Sequence, residues 1–396
     1  MSNGGEASAS RLAAVRREGE RVRPLELFFD LVFVLAITQC TALMSHHPTW
    51  SGLAQGLLAL GVIWWSWVGY AWLTSIIDPE EGVVRLVFFG AMAAMLVAAL
   101  AIPGAFDNLA LAFAFAYGFV RVAHIALFML ASPDDEALRR SVVWLAASTA
   151  VSVGLLAASS LFDGVAQGSL WALALFLDMA GPYFFGSEGW KLVPAHFAER
   201  HALIVIIALG ESIVVLGIGA AGELTAGIVA VAVLGIGLAA AMWWIYFDVV
   251  ALVSAKRLTK MPPGRELNEM ARDAYSFLHL PMVAGIVLVA FGMKVAIAHP
   301  GDHLAETPAF ALLGGVALYL LGHVAFRYRQ IHTLSRRRLG LAIVLLILVP
   351  AATAMPALVA LAVVNVLIWA LIAHETQSYG EAREQLRREA AAEGAG

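Results

Sequence analysis

Long hydrophobic stretches follow one another along almost the whole chain, and only short polar segments separate them. Each stretch is close to the roughly 20 apolar residues that an α-helix needs to cross a bilayer. The pattern predicts an all-α integral membrane protein with about twelve transmembrane helices and no soluble domain between them. The predicted helices cover residues 25–45, 52–77, 83–102, 108–131, 141–161, 168–185, 200–220, 225–253, 273–298, 308–327, 339–354 and 357–374.

The composition supports this class and indicates the compartment. Hydrophobic residues make up 61% of the chain and charged residues 14%, which is more apolar surface than a soluble core can hide. The first 23 residues are polar and Arg-rich, and no A-x-A-like site follows the first stretch. We therefore expect an uncleaved anchor in the cell membrane rather than a removed signal peptide. The single cysteine, Cys40, excludes an internal disulfide and a cysteine-built metal site.

Lysine and arginine are concentrated in alternate loops between the predicted helices. By the positive-inside rule the basic segments face the cytoplasm, where they would also contact anionic lipid. The alternation therefore places both termini in the cytoplasm and requires an even number of spans. The residues that carry it are Arg11, Arg16, Arg17, Arg21, Arg23, Arg139, Arg140, Lys256, Arg257, Lys260, Arg265, Arg336, Arg337, Arg338, Arg383, Arg387 and Arg388.

The two halves of the chain carry similar features in the same order. The pairs are Glu26 with Glu199, Trp64-Trp65 with Trp243-Trp244, His124 with His323, Arg139-Arg140 with Arg337-Arg338 and, with a gap, Asp178 with Asn365. Because six helices per half is an even number, both halves would enter the membrane in the same direction, as parallel repeats do in some transporters. The predicted organisation is a basic cytoplasmic segment (1–23), two six-helix repeats (24–190 and 191–376) and a cytoplasmic tail (377–396).

The first hydrophobic stretch carries two acids on one face. Glu26 and Asp30 are four residues apart, so both carboxylates project from the same side of a helix. Pro24 suits the first helical turn, and Glu26 suits the positive end of the helix dipole. Asp30 would be costly against lipid but is a functional candidate on a face that turns toward other helices. The alternative is that the acids only fix the helix end through local hydrogen bonds.

Three ionisable residues lie near mid-bilayer by residue counting: Glu211, Asp178 and Arg121. Asp30 and Asp248 lie nearer the cytoplasmic side, and Gly181-Pro182 is expected to interrupt the sixth helix. An arginine keeps its charge in the membrane, so Arg121 needs an acidic partner. We expect Glu211 to be that partner, with Asp178 as the competitor. The acid left over could carry a proton or coordinate a cation, unless the pair only holds helices together.

Several polar residues are assigned as supporting positions: Glu26, Glu199, His124, His323, Asp248 and Asn365. An intramembrane histidine more often hydrogen-bonds across a helix interface than binds a metal, although two histidines at duplicated positions could ligate haem. We predict no cofactor, no metal site and no catalytic residue. The P-loop, H-E-x-x-H and G-x-S-x-G motifs do not occur in the sequence, and no basic aromatic groove indicates nucleic acid as a partner.

Two stretches carry a family resemblance. Residues 23–39 read R-P-L-E-L-F-F-D-L-V-F-V-L-A-I-T-Q, and residues 199–215 read E-R-H-A-L-I-V-I-I-A-L-G-E-S-I-V-V. Both resemble signature motifs of the bacterial low-temperature-requirement A (LtrA) family. The resemblance implies a multi-pass membrane protein and supplies no substrate. The first stretch is also similar to the F-S-D motif in the first helix of a bacterial and lysosomal potassium-channel family, with Phe29 in place of the serine.

Three functions are compatible with these features. The favoured one is a secondary transporter or channel for a small ion or solute, with intramembrane carboxylates at the interface of the repeats. A membrane-embedded enzyme could instead act on a lipid or quinone through Asp30, Asp178 and Glu211. The third is a stress-related membrane assembly factor without a small-molecule site. In each case the lipid bilayer is a partner, and a small ion or solute is a partner only in the first.

Overall fold

A computed structural model of the protein describes residues 21–184, 189–219 and 224–394. These ranges are α-helical, with short 3-10 or π-helical segments beside some helices and an isolated bridge between His303 and Pro356. Most of the predicted N-terminal segment, residues 1–20, lies outside the described residues.

The helices follow one another with short connections. They are α1 (Pro24–His46), α2 (Trp50–Thr74), α3 (Gly82–Ala101), α4 (Ala110–Ala131), α5 (Glu136–Ala158), α6 (Gly164–Phe184), α7 (Pro194–Gly219), α8 (Ala226–Phe247), α9 (Val250–Lys260), α10 (Arg265–Met270), α11 (His279–Ala298), α12 (Glu306–Ile331), α13 (Arg336–Ala352) and α14 (Ala357–Gly394). The 3-10 segments are Ile102–Gly104 and Ser159–Leu161, and the π-helical segment is Ala271–Phe277.

The all-α prediction is confirmed, and each predicted stretch is helical over most of its length. In the described part of the chain, 10 helical segments are long and apolar enough to cross a bilayer. The other two predicted spans correspond to α6, with 21 residues, and α13, with 17 residues.

Two local expectations were wrong. The sixth helix is not interrupted, because α6 continues through Pro182 to Phe184. Pro182 lacks the N–H that would bond the carbonyl of Asp178, but the helix ends two residues later, so little is lost. In place of the predicted helix 225–253, the α8 helix ends at Phe247. A separate amphipathic helix, α9, follows it and has Arg257 and Lys260 in its last turn.

Helix ends follow local sequence signals. Pro24 and Pro194 are the first residues of α1 and α7, where a missing N–H removes no intrahelical bond. The Asp135 side chain caps α5 by accepting a hydrogen bond from the Leu138 N–H at 3.1 Å. His332, with φ 52°, ends α12 in the left-handed conformation.

The chain divides into two compact units. The first comprises residues up to Leu43, Ala54–Arg200 and Met261–Ala271; the second comprises Met44–Leu53, His201–Lys260 and Arg272 onward. Within the first unit, α4 packs against α3 and α5, and α5 also packs against α6. Within the second unit, α12 packs against α11 and α13, and α8 packs against α14.

Two facing glycines let α11 and α12 approach closely. A Cβ at Gly285 would lie 2.6 Å from the Gly315 carbonyl oxygen, and a Cβ at Gly315 would lie 2.8 Å from the Gly285 carbonyl oxygen. Real Cβ atoms do not approach backbone oxygens so closely. Small residues at such contacts are typical of membrane helices, which gain from tight packing because lipid supplies no hydrophobic drive between them.

Large apolar side chains stay exposed on the outer faces of the helices. Leu86, Phe115, Val122, Ile347 and Val366 are each between 64% and 70% exposed. In water such continuous apolar surface would favour aggregation, whereas lipid tails cover it without cost. Together with the apolar helices, this surface identifies a multi-pass membrane protein whose partner is the lipid bilayer.

Candidate functional site

Four ionisable side chains from the first two turns of α1 and α7 meet in the interior of the first unit. Arg200 joins two acids, with Nη1 at 2.9 Å from Glu26 Oε2 and Nη2 at 2.7 Å from Asp30 Oδ1. His196 Nε2 lies 2.7 Å from the same Glu26 oxygen. All four side chains have 0% exposure. We call Glu26, Asp30, His196 and Arg200 the carboxylate cluster.

Helix geometry explains why these four meet. Glu26 and Asp30 share one face of α1, and His196 and Arg200, also four residues apart, share one face of α7. Asp30 and Arg200 each lie six residues after the start of their helix, about 9 Å along its axis. The two acids of α1 therefore lie level with the two basic residues of α7.

The α2 helix completes the surroundings of the cluster. The Trp67 indole N–H donates to Asp30 Oδ1 at 2.9 Å, and the Arg200 guanidinium lies 5.6 Å from the centre of the Trp67 ring. Ser75 Oγ lies 3.3 Å from His196 Nδ1. The second oxygen of Asp30, Oδ2, is buried and has no hydrogen-bond partner among the described residues.

The two acids of α1 differ in their local role. Glu26 Oε1 accepts a hydrogen bond from the Arg23 backbone N–H at 3.0 Å, so this residue does help to fix the helix end. Asp30 makes its bonds to other helices, through Trp67 and Arg200. The helix-end interpretation thus applies to the Oε1 contact of Glu26 and not to Asp30.

The cluster contains one more acid than permanent base. Glu26 and Asp30 contribute −2 and Arg200 contributes +1, which leaves −1 when His196 is neutral. One bound proton, on His196 or on a carboxyl, would make the cluster neutral. Burying a charge away from water is costly, so a proton or cation bound to these four side chains would lower that cost.

A second charged group lies in the same unit. Arg121 Nη2 is 2.9 Å from Asp178 Oδ1 and 2.9 Å from Thr149 Oγ1. The Thr149 hydroxyl donates to Asp178 Oδ1 at 3.0 Å, and the Tyr117 hydroxyl donates to Oδ2 at 3.1 Å. Arg121 and Asp178 are each 1% exposed, so this is a fully buried ion pair. Its charges balance one to one.

The α2 helix contacts both charged groups. The Trp65 carbonyl oxygen lies 3.5 Å from Arg121 Nη1, and the Trp67 side chain contacts Asp30. A Cβ at Gly69 would lie 2.8 Å from His124 Cε1 and 3.2 Å from Arg121 Nη1. Only glycine therefore leaves room for the arginine and histidine side chains at this point.

Aromatic rings fill the space beside α2. The Tyr70 ring lies 4.6 Å from Phe29 and 5.4 Å from His124, measured between ring centres, and its hydroxyl donates to the Val120 carbonyl at 2.9 Å. His124, predicted as a supporting position, is buried here beside Arg121. Phe29, the residue that departs from the potassium-channel motif, is a core residue with 0% exposure.

The expected partner of Arg121 was wrong. Asp178, the competing candidate, is the counter-charge, and Glu211 is a buried residue of the second unit. Residue counting gives the depth of each group along its own helix. It does not tell which helices are neighbours, and so two acids at similar depth could not be distinguished.

The remaining supporting positions lie outside the two charged groups. Glu199 is exposed and accepts a hydrogen bond from the Val22 backbone N–H at 3.2 Å. Asp248 is buried at the end of α8. Asn365 of α14 donates to the Leu234 carbonyl of α8 at 3.0 Å, and so it joins two helices.

The second unit holds a buried group of histidines and tyrosines. His279 Nε2 accepts from the Tyr246 hydroxyl at 2.8 Å, and His323 Nδ1 donates to the Tyr319 carbonyl at 2.9 Å. The His201 and His279 rings lie 5.2 Å apart. Within the described ranges, no group of three or more His, Cys, Asp or Glu side chains is placed to hold a metal ion.

Sequence reasoning missed the basic half of the carboxylate cluster. Arg200 is the first residue of the predicted helix 200–220 and His196 precedes it, so neither is among the charges predicted inside the membrane. The spacing of these residues does indicate the cluster, since two bases four residues apart match the two acids four residues apart on α1.

Apolar helices with exposed outer faces and a charged interior define a polytopic membrane protein with buried ion pairs. The chain belongs to the bacterial low temperature requirement A protein (LtrA) family, whose family model matches residues 21–373. It is similar to the uncharacterized protein RA0937 of Rhizobium meliloti (strain 1021), with 32% identity over 312 residues that cover 75% of each chain. No solved structure matches the chain. The resemblance of the two signature motifs is thus confirmed.

Proposed function

We propose that this protein is a secondary transporter or channel for a small ion or solute, and that the carboxylate cluster is its proton- or cation-binding site. The observation that carries the proposal is the charge imbalance of the four fully buried side chains. A purely structural pair would balance its charges, as Arg121 and Asp178 do. A site that alternates between a loaded and an empty state needs a residual charge that a proton or cation can neutralise.

The geometry supports Asp30 as the binding group. Its Oδ1 is held by Trp67 and Arg200, whereas Oδ2 is buried and has no hydrogen-bond partner among the described residues. A carboxyl with one fixed and one open oxygen can accept a proton or a cation without releasing its neighbours. Glu26, by contrast, uses both oxygens.

The cluster also fits the proposed organisation into two six-helix repeats, 24–190 and 191–376. Glu26 and Asp30 belong to the first helix of the proposed first repeat, and His196 and Arg200 belong to the first helix of the second. Transporters with internal repeats bind their substrates where the repeats meet. This location supports a site at the interface of the repeats.

Asp30→Asn tests the function directly. The amide oxygen can still accept from Trp67 and Arg200, and the Glu26–Arg200 pair is kept, so we expect an intact protein. Reconstituted in liposomes and given gradients of H⁺, Na⁺ or K⁺ in turn, the wild type should produce charge movement with at least one of them. Asp30→Asn should reduce that signal by about tenfold or more, the equivalent of 1.4 kcal/mol of binding free energy.

Glu199→Gln provides the matched control, because Glu199 is an exposed acid of the same helix as Arg200. Its flux should equal that of the wild type. The transport proposal fails if no gradient drives charge movement through the wild type. It also fails if Asp30→Asn retains full flux and only melts at a lower temperature.

We further propose twelve spans with both termini in the cytoplasm, counting α6 and α13 as spans. Both helices expose large apolar side chains, among them Phe176 at 59% and Ile347 at 70%. At 1.5 Å per residue, α6 and α13 are about 31 Å and 26 Å long, close to the roughly 30 Å of the hydrocarbon core. The alternation of basic loops is consistent with this count.

A reporter that works only in the cytoplasm should read out this topology. Fused after Ala131 or Arg338, which lie beside basic segments, it should be active. Fused after Asn108 or His303, in loops without Lys or Arg, it should be inactive. Each fusion is checked for expression by immunoblotting. Opposite results at two of the four sites would contradict the twelve-span arrangement.

A further inference from the structure

A cavity in the second unit has the chemistry of an anion site with an apolar wall. Its volume is about 530 Å³, within the range of small-molecule sites. It lies between the start of α9, the end of α12 and the start of α13, and Glu375 of α14 closes one side. We call it the arginine pocket, after its lining residues Arg327, Arg336, Arg337 and Arg338.

The charge of the lining is strongly positive. Four arginines and one acid, Glu375, give a net charge of +3. Arg338 pairs with Glu375, with Nε and Nη2 at 3.1 Å and 2.9 Å from the two carboxylate oxygens. Arg336 and Arg337 are exposed at the first turn of α13, whose N–H groups also favour an anion. Two guanidinium groups beside a helix N-terminus are suited to a phosphate group.

Two of the residues that line the cavity, His323 and Gln330, are buried polar side chains. His323 Nε2 and Gln330 Nε2 have no hydrogen-bond partner among the described residues, although these residues are only 1% and 4% exposed. An unsatisfied buried amide is costly, so such groups are expected to meet a ligand. The amide N–H of Gln330 would donate to an oxygen of the bound molecule.

Part of the pocket lining is apolar. Val249, just before α9, and Val250 and Val253 of α9 line the pocket together with Phe326 and Leu334. A free inorganic anion would gain nothing from this surface, whereas a hydrocarbon chain would. The pocket also lies at helix ends next to a basic segment, where lipid headgroups are found.

We propose that the arginine pocket binds the headgroup of one anionic phospholipid, with its phosphate on Arg336 and Arg337 and the start of its acyl chains against the α9 valines. This site is separate from the carboxylate cluster and does not depend on the transport proposal. It assigns a specific lipid partner to a segment whose charge would otherwise only orient the protein.

Native mass spectrometry of the full-length protein, with phosphatidylglycerol titrated into detergent, tests the proposal. The wild type should retain one phosphatidylglycerol molecule in preference to zwitterionic phosphatidylcholine. Arg336→Gln/Arg337→Gln should weaken this binding by about tenfold or more, because it removes two charge-assisted contacts. The matched control is Arg139→Gln/Arg140→Gln, an exposed arginine pair at the start of α5. It should leave the affinity unchanged.

A second variant separates a lipid from a free phosphate. Val253→Trp fills the apolar side of the pocket and leaves the arginines in place, so it should weaken phosphatidylglycerol binding, and inorganic phosphate should not compete with the lipid. The proposal is overturned if the control pair weakens binding as much as Arg336→Gln/Arg337→Gln. It is also overturned if Val253→Trp has no effect, or if inorganic phosphate displaces the lipid at equal concentration.

Discussion

Asp178→Asn and Arg121→Gln should each cause a large loss of folded protein, and the double variant should recover part of it. Each single change leaves one buried charge without its partner, at a typical cost of about 3–5 kcal/mol, whereas the double change removes both charges. Thr149 and Tyr117 can still hydrogen-bond the amide that replaces the Asp178 carboxylate. Their presence does not offset the stranded guanidinium, which keeps its charge.

The measurement is the yield of monodisperse protein by size-exclusion chromatography, together with the midpoint of thermal unfolding in detergent. The matched control is Arg140→Gln. Arg140 also pairs with an acid, Glu136, at 3.4 Å, but both side chains are exposed and such pairs contribute about 0–1 kcal/mol. Simple additivity in the Arg121→Gln/Asp178→Asn double would contradict the pairing.

The two charged groups of the first unit are expected to respond differently to the loss of an acid. Within the described ranges, Asp178 is the one acid that pairs with Arg121, so its neutralisation strands a cation. Asp30 is one of two acids on Arg200, so its neutralisation leaves a balanced Glu26–Arg200 pair. Under the transport proposal, the balanced pair has a structural role and the surplus acid of the cluster has a role in binding. This contrast links the folding experiment to the transport experiment.

Helix positions could be predicted well, because a bilayer imposes a length and an apolar composition that can be counted along the chain. Twelve stretches were expected and all are helical. The exact ends were less predictable, as at Phe247, where α8 ends its regular course before α9 begins. The residue at which a helix ends depends on its local cap and on the polar residues of the next turn. A hydropathy average over many residues resolves neither of them.

Partners across helices could not be predicted from spacing alone. Residue counting places Glu211 and Asp178 at similar depths, and only the packing of α4, α5 and α6 brings Asp178 to Arg121. In contrast, the face shared by Glu26 and Asp30 could be predicted, because helix periodicity is local. The same rule applied to His196 and Arg200 would have predicted a basic counterpart for that face.

Arg200→Gln should be the most damaging single change in the carboxylate cluster. It leaves two buried carboxylates and one histidine, which contacts Glu26, with a net charge of −2 that a single proton on His196 cannot neutralise. We expect a loss of folded yield comparable to that of Arg121→Gln, about 3–5 kcal/mol. Arg200→Lys should be intermediate, since a single ammonium group cannot reach Glu26 and Asp30 through two separate nitrogens as the guanidinium does.

Adding Asp30→Asn to Arg200→Gln should restore much of the folded yield, because Glu26 and a protonated His196 then form a neutral pair. Adding Asp178→Asn should restore nothing, since Asp178 balances Arg121 and its loss creates a second stranded charge. Size-exclusion yield and thermal midpoint, measured for the singles and both doubles, decide between these outcomes. If the two doubles behave alike, the rescue does not arise from local charge balance, and Arg200 cannot be the shared counter-charge of the two α1 acids.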